Sequence, residues 1–406
     1  MAASYNVEGV MFPRPFRIRR FGHFGFNLNS IDGGIDFYGR LLGFDMTDLP
    51  ELRKLAPPGV IPDTVIDDRV PFLTHNSDHH AMIIAHPSAG PFIGDQESPP
   101  DVTMSHFTWQ VGSLEEVYRG HKYLADNGVQ INRTGRDMPG SNWHCYFNTP
   151  EGQVCEIYYG MEQVGINGRS KPLPYYDRRF DGDDTYTLPQ MSDFDERDAK
   201  KAQGVTMEDG FERQSFGTEE RYDVAGSLLN RPFKVTDIGP VGLFVNDMEK
   251  SVAFYRDLLG FKVTETVEYQ GHEFVFLRHG SEHHSLKLYP IEARSALGLS
   301  ENTRTASMGM RVGSYKQLKD AVEWLKAEGV EFIEQPPELN PGIDYCAYAL
   351  DKEGHCIQLF YYMEQVSWDG ARRPEDMRRK VQMPWPETLD AIADTYADQT
   401  FMGPLG

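Results

Sequence analysis

Two stretches, GQVCEIYYGMEQV (152–164) and GHCIQLFYYMEQV (354–366), share one frame, yet the first carries Glu156 where the second carries Gln358. The contrast recurs twice: His23 matches Pro240, and His106 matches Ser307. Each time the N-terminal copy holds a side chain able to ligate a metal and the C-terminal copy does not. Two imidazoles and one carboxylate form the donor set that holds Fe(II) on one face and leaves positions open for substrate and dioxygen. A lone histidine in a strand is ordinarily a satisfied core or rim residue. A glutamate inside VCEIYY is harder to place, because an unpaired buried carboxylate is costly. Three such residues, all lost together in the other copy, point to one shared site.

The elements that must position them are duplicated too. GHFGFNLNSIDGGIDFYGRLLGF (22–44) aligns with GPVGLFVNDMEKSVAFYRDLLGF (239–261) at an offset of 217. Ile31, Ile35, Tyr38 and Leu42, like Met248, Val252, Tyr255 and Leu259, fall at i, i+4, i+7 and i+11, which is one apolar helix face. Gly43 and Gly260 then predict a left-handed helix stop. FLTHNSDHH (72–80) matches FLRHGSEHH (276–284) at an offset of 204, so the first copy carries extra residues, assigned to the Pro-rich LPELRKLAPPGVIPDTV (49–65). VGSLEEVYRGHKYLADNGV matches VGSYKQLKDAVEWLKAEGV at 201, and the Glu156 and Gln358 stretches match at 202. Each half runs strand, helix, short strands twice over, from HFGFNLN, SHFTWQV, PVGLFVN and SMGMRVG. The expected fold is therefore α+β, with four βαβββ modules paired into two domains, 1–164 and 233–375. A linker (165–232) joins them, and its PLPYYDRRF aromatics predict packing on a surface. In the tail (376–406), ETLDAIADTYA reads as a helix that docks on a domain or on a neighbouring subunit.

Forty basic against sixty-one acidic side chains give a net charge of −21, a surface that repels phosphate backbones and argues against a nucleic-acid partner. No apolar run approaches the roughly eighteen residues of a membrane span. MAASYNVEGVMFPRPFRIRR lacks the apolar core and cleavage site of a secretory signal, so a cytoplasmic location is expected. Cys145, Cys155, Cys346 and Cys356 show no zinc spacing and read as free thiols in a reducing compartment.

With the repeats in view, the chain resembles the vicinal oxygen chelate superfamily and, within it, the type I extradiol ring-cleaving dioxygenases. HFGFNLNSIDGGIDFYGRLLGF is similar to the superfamily's opening strand and helix, and GRDMPGSNWHCYFNTPEGQVCEIY (135–158) to the extradiol signature around its carboxylate ligand. The resemblance implies two domains, each a curved incomplete β-barrel with outer helices. It implies His23, His106 and Glu156 as ligands of Fe(II), with Mn(II) as the alternative metal. It further implies His80 of DHHAMIIAH as the acid/base, Tyr146 as a hydrogen-bond donor, and Asp137, Asn142, Trp143 and Phe72 as substrate-binding candidates. Core packing is the more ordinary role for Phe72. The implied reaction opens the ring of a catechol-type diol with both atoms of O2, and a homo-oligomer is expected.

The chain departs from that pattern in three places. Asp137 stands where the family commonly has a histidine after GR, and Cys145 where an apolar residue precedes the tyrosine. The competent triad lies in the N-terminal half, whereas familiar two-domain members keep iron in the C-terminal half. Three alternatives therefore stay open: a hydroquinone-type ring cleaver, an isomerase or lyase on the same scaffold, and a metal-free binding protein. HHAMIIAH offers no second glutamate, which favours an open three-ligand site over the four-ligand isomerase type.

Overall fold

The computed structural model describes residues 4–93, 101, 103–136, 140, 143–164, 168–176, 178–179, 192–217, 219–366, 370–393 and 395–396. Apolar alternation becomes strands, as the sequence predicts. The N-terminal half contains β1 (Tyr5–Val7), β2 (Val10–Phe12), β3 (Arg20–Asn27), β4 (Asp45–Asp48), β5 (Phe72–Thr74), β6 (Met82–Ala85), β7 (Met104–Gln110), β8 (Ile131–Arg136), β9 (Trp143–Asn148) and β10 (Val154–Tyr159). Then follow β11 (Arg178–Arg179), β12 (Tyr222–Val224), β13 (Ser227–Leu229), β14 (Val235–Val245), β15 (Lys262–Tyr269), β16 (His272–Arg278), β17 (Leu286–Pro290), β18 (Thr305–Val312), β19 (Glu331–Ile333), β20 (Cys346–Leu350) and β21 (Cys356–Phe360).

The first large sheet runs β11-β8-β9-β10-β7-β3-β6-β5-β4, and the second β15-β16-β17-β14-β18-β21-β20-β19. Read in opposite directions the two orders are the same, apart from the short β11 added at one edge. Each is an open mixed sheet, with β3–β6, β7–β10, β14–β17 and β18–β21 parallel and the other pairs antiparallel. Long helices at Leu114–Asp126 and Tyr315–Ala327 cover the sheets, each started by a serine hydroxyl (Ser113, Ser314) that accepts from a backbone N–H one turn on.

The expected first helix forms in both copies and buries Ile31, Tyr38 and Leu42 in one, Tyr255 and Leu259 in the other. It is not a regular helix. Each copy widens into a π-helix, over Ile35–Leu41 and Phe254–Leu259. Gly43 and Gly260 follow in the left-handed conformation, at φ of +89° and +90°. Each glycine also lies under an arginine: a Cβ at Gly43 would collide with the Arg231 guanidinium, and one at Gly260 with that of Arg14.

That reciprocity runs along the domain boundary. Glu353 accepts from the backbone N–H groups of Asn29 (2.9 Å) and Ser30 (3.0 Å), at the start of the first helix. Glu151, its counterpart, accepts from Asn246 Nδ2 (2.7 Å) and the Asp247 N–H (3.0 Å), at the start of the equivalent helix. A carboxylate at a helix N-terminus is favourably placed, and here each one also ties a domain to the other.

Two segments differ from expectation. Within 165–232, the hairpin β12–β13 repeats β1–β2, with paired left-handed residues in both turns (Glu8 and Gly9, Ala225 and Gly226). The duplication therefore extends upstream of residue 233, and YNVEGVMFPRPF against YDVAGSLLNRPF, at the same offset of 217, is its signal. The segment also carries a helix, Asp193–Ala202, whose buried Glu196 accepts from Arg136 (2.9 Å) and Lys171 (2.7 Å) and so holds it against the N-terminal sheet. In the tail, the helix expected from ETLDAIADTYA is absent from residues 387–393. Backbone carbonyls there and just before it are instead claimed by side chains: Pro386 by Tyr315 and Lys319 and Ala393 by Arg373, all of the C-terminal domain, and Asp390 by Arg379 of the tail itself. These partners replace intrahelical bonds. All four cysteines are free thiols, and among the described residues no helix is long and apolar enough to cross a membrane.

Gly43→Ala forces a side chain into the left-handed region and against Arg231, and is expected to lower stability by about 1–2 kcal/mol by urea denaturation. Gly59→Ala is the control. Its φ is +84° with nothing within 4 Å, so it should cost less, and the difference reports the interdomain packing.

Candidate metal centre

The three central strands of the first sheet place the triad. In the antiparallel β3–β7 pair Gly25 stands opposite His106, and in the parallel β7–β10 pair Thr108 stands opposite Glu156. A bulge in β3 between Phe21 and Phe24 shifts the register at His23. His23, His106 and Glu156 converge there, with one ligand atom from each lying within 4.8 Å of the others. His23 and Glu156 are fully buried and His106 nearly so. Two glycines make room: a Cβ at Gly25 would crowd Ser105 and His106, and one at Gly22 would crowd Thr108 and Tyr158.

The outer hydrogen bonds decide which nitrogens face the centre. His23 Nδ1 lies 3.1 Å from Thr108 Oγ1, which also accepts from the His23 backbone N–H at 2.8 Å. His106 Nδ1 lies 3.1 Å from Ser105 Oγ. With both Nδ1 atoms engaged, both Nε2 atoms remain, buried and without a hydrogen-bond partner. His23 Nε2 is 3.1 Å from Glu156 Oε2.

Electrostatics sharpens the point. Burial lowers the pKa of His23 and of His106 to about 3, so both imidazoles are neutral with lone pairs directed inward. Burial raises the Glu156 pKa, while His144, His106, Arg133 and a hydrogen bond with Tyr146 pull it back. Lone pairs facing one another at 3.1 Å in a dry interior call for a proton or a cation between them. Two neutral imidazoles and a carboxylate, each imidazole braced through its other nitrogen, suit a divalent metal.

The other predicted residues sort by face. His80 packs its ring against His23, with centroids 4.3 Å apart. Its Nδ1 lies 3.0 Å from His79 Nδ1, and His79 Nε2 lies 3.5 Å from Asp48 Oδ2. A proton on His79 Nε2, facing the carboxylate, makes His79 Nδ1 the acceptor and His80 Nδ1 the donor. His80 Nε2 is then left with its lone pair, the form a general base needs. Burial also holds the His80 pKa well below its ordinary value.

Tyr146 pairs directly with Glu156 across β9–β10, and its ring is 5.6 Å from that of His106. Phe72 contacts His80 edge-on at 5.0 Å and belongs to a small apolar cluster with Leu52, Val65, Val70 and Ala89. It thus joins the His80 ring to that core. The Pro-rich insertion supplies Leu52 and Val65 of that cluster, with Ile61 packed against it. Side chains alternate along a strand, so Trp143 shares the face of Cys145, near Arg136, and the β9 ring beside Tyr146 is His144, 4.8 Å away. Asp137 and Asn142 lie outside the described residues.

Sequence reading missed Thr108, His79, Asp48, His144 and Arg133. Arg133 lies over the Tyr146 ring at 4.8 Å and adds positive charge beside His106 and Glu156. Of these, only the adjacent pair His79–His80, repeated as His283–His284, left a visible trace.

With this geometry in place, comparison with known proteins becomes informative. The family model for the Glyoxalase/Bleomycin resistance protein/Dioxygenase superfamily matches residues 20–157 and 237–359. The chain belongs to this superfamily. Both halves match, which agrees with the duplicated sheets. Metapyrocatechase 2 of Cupriavidus necator is 27% identical over 147 residues, 36% of this chain and 38% of that protein, so the match spans well under half of the relative. Among solved structures of the superfamily's fold, homoprotocatechuate 2,3-dioxygenase from Arthrobacter globiformis superposes with a TM-score of 0.54 at 14% identity, covering 88% of this chain and 84% of the other. The Mn(II)-bound glyoxalase from Novosphingobium aromaticivorans gives 0.53 at 14% identity, covering 87% and 85%. At such identities the likeness establishes the fold.

Thr108→Val removes the hydroxyl that braces His23 while keeping the β-branched shape. It is expected to weaken divalent-metal affinity roughly 10–100-fold with little loss of folding, measured by Mn(II) titration alongside thermal melting.

Proposed function

We propose that this protein is a non-haem Fe(II)-dependent extradiol dioxygenase that opens the ring of a catechol-type diol with both atoms of O2. The observation that carries the reading is the inward convergence of His23, His106 and Glu156, a donor set that leaves part of a metal's coordination open. Similarity to a metapyrocatechase and to a homoprotocatechuate 2,3-dioxygenase supports it.

In this reading an Fe(II) ion on the triad supplies Lewis acidity and the dioxygen chemistry. The chain's own groups do the rest. His80 Nε2 accepts the substrate's hydroxyl proton and later returns it, with His79 and Asp48 fixing the tautomer. Tyr146, held against Glu156 by strand register, is the donor assigned to a substrate oxygen. Arg133 favours a substrate bound as an anion. Phe72 and the apolar cluster behind it keep water from the His80 side.

Oxygen uptake with a panel of substituted catechols and hydroquinones, with detection of ring-opened product, tests the assignment and separates the two substrate types. Glu156→Ala is expected to abolish both iron retention and oxygen uptake. If the purified protein holds neither iron nor manganese, and this variant matches the parent, the dioxygenase reading fails. His80→Gln should retain metal and substrate affinity but lose roughly 10²–10⁴-fold in kcat.

A further inference from the structure

The second domain keeps the strands of the first site without its ligands, yet its centre is not apolar. Lys287, on β17, is 1% exposed. Its partner across the sheet is Gly242, which stands opposite Ser307 on the other side, just as Gly25 stands between Ile83 and His106. The absence of a side chain at Gly242 lets the lysine stem pass: a Cβ there would lie 3.0 Å from Lys287 Cε and 3.1 Å from Ser307 Oγ. The ammonium then donates to Ser307 Oγ at 2.6 Å and to Gln358 Oε1 at 2.8 Å. Those two residues are the counterparts of His106 and Glu156.

We propose that the Lys287 ammonium is the resident cation of the C-terminal site, standing where a divalent ion stands in the N-terminal one and tying the same strands together. Only the comparison between the halves rests on the metal reading of the N-terminal triad.

The charges agree with this assignment. A divalent ion with one carboxylate and two neutral imidazoles leaves one net positive charge. So does one ammonium with a neutral amide and a hydroxyl. A glutamate at 358 would change that balance, and it would also break the ring of hydrogen bonds around it. Gln358 Nε2 donates to Asn340 Oδ1 (2.8 Å) and to the Tyr348 hydroxyl (3.0 Å), while Tyr348 itself donates to Asn340. The amide is thereby fixed with its oxygen toward Lys287. Tyr348, the counterpart of Tyr146, is occupied by this ring, and Asn340 separates it from a cavity of about 550 Å3 bordered by Glu265, Gly342 and Arg378. Among the described residues no carboxylate is hydrogen-bonded to the ammonium, and burial lowers the Lys287 pKa to about 8, as for a cation held by neutral partners.

The test counts Mn(II) per chain in two variants that restore the ligand set. Pro240→His/Ser307→His/Gln358→Glu with Lys287 retained should bind no more Mn(II) than the parent. The same triple with Lys287→Ile, the residue at the matching position 83, should bind one more ion per chain. The increment is read against the parent, so it holds whether the N-terminal site contributes one ion or none, and failure of the earlier reading stays separate. An extra ion regardless of Lys287, or in neither variant, overturns the proposal. A second measurement avoids the multiple variants: a double-mutant cycle of Lys287→Ile and Gln358→Leu, read as thermal melting shifts. The combined shift should be clearly smaller than the sum of the single ones, because each single change orphans the other partner. Additive shifts would also overturn it.

Discussion

The arrangement depends on one constraint: the lone pairs of His23, His106 and Glu156 must meet in a dry place near the middle of a sheet. A strand can bring a side chain there only if its neighbours leave room, so Gly22 and Gly25 face the rings that a side chain would displace. It can orient an imidazole only through the nitrogen turned away from the centre, so Thr108 and Ser105 occupy those positions. A parallel pairing between β7 and β10 then sets the carboxylate beside the histidines, and the antiparallel β9 brings Tyr146 alongside it. The flanking strands and helices bury this cluster deeply enough to keep both imidazoles neutral.

The second half answers the same problem differently. Its strands have the same order, and a cluster of polar atoms again sits at their centre. Without charge there, three strands' worth of hydroxyl, amide and phenol groups would need water or one another. Lys287 provides a donor that needs no external supply, so this domain can be complete as soon as it folds. The reciprocal carboxylates Glu151 and Glu353 then join the domain that carries the triad to the one that carries Lys287 through matched contacts. Duplication explains why the contacts match, and divergence at a few central positions explains why the two interiors do not.

Much of this was legible in the sequence because repetition supplies a comparison that a single copy cannot. The matched positions singled out the triad, and helical spacing located the first helix with its glycine stop. What escaped was whatever depends on a neighbouring strand. Thr108 is unremarkable until register sets it against His23, and Lys287 looks like a surface residue within SLKLYP until Gly242 opens a path beneath its stem. The π-helical widening has no periodic signature at this length. In the tail, local propensity favoured a helix, but Lys319, Arg373 and Arg379, which lie 67, 20 and 11 residues away in sequence from the carbonyls they reach, took those carbonyls instead.

The paired histidines show most plainly that residue identity alone does not assign a role. His79–His80 and His283–His284 have the same Nδ1–Nδ1 spacing of 3.0 Å, and each rear histidine faces a carboxylate. Behind His283, however, Glu265 is engaged at once by Arg378 and Arg372, and burial is outweighed by the hydrogen bonds with His283 and Arg378, so that its pKa falls far below the carboxylate range. Ion pairs of that kind lock a side chain in place and bind the tail to the domain. Behind His79, apart from that histidine, Asp48 accepts among the described residues from the N–H of its neighbour Leu49 at 2.8 Å and from the Ser170 hydroxyl at 3.5 Å. Among the described residues no arginine holds Asp48, whereas two hold Glu265. A shared motif thus sits in different surroundings in the two halves, and the difference lies in the arginines behind it, not in the histidines themselves.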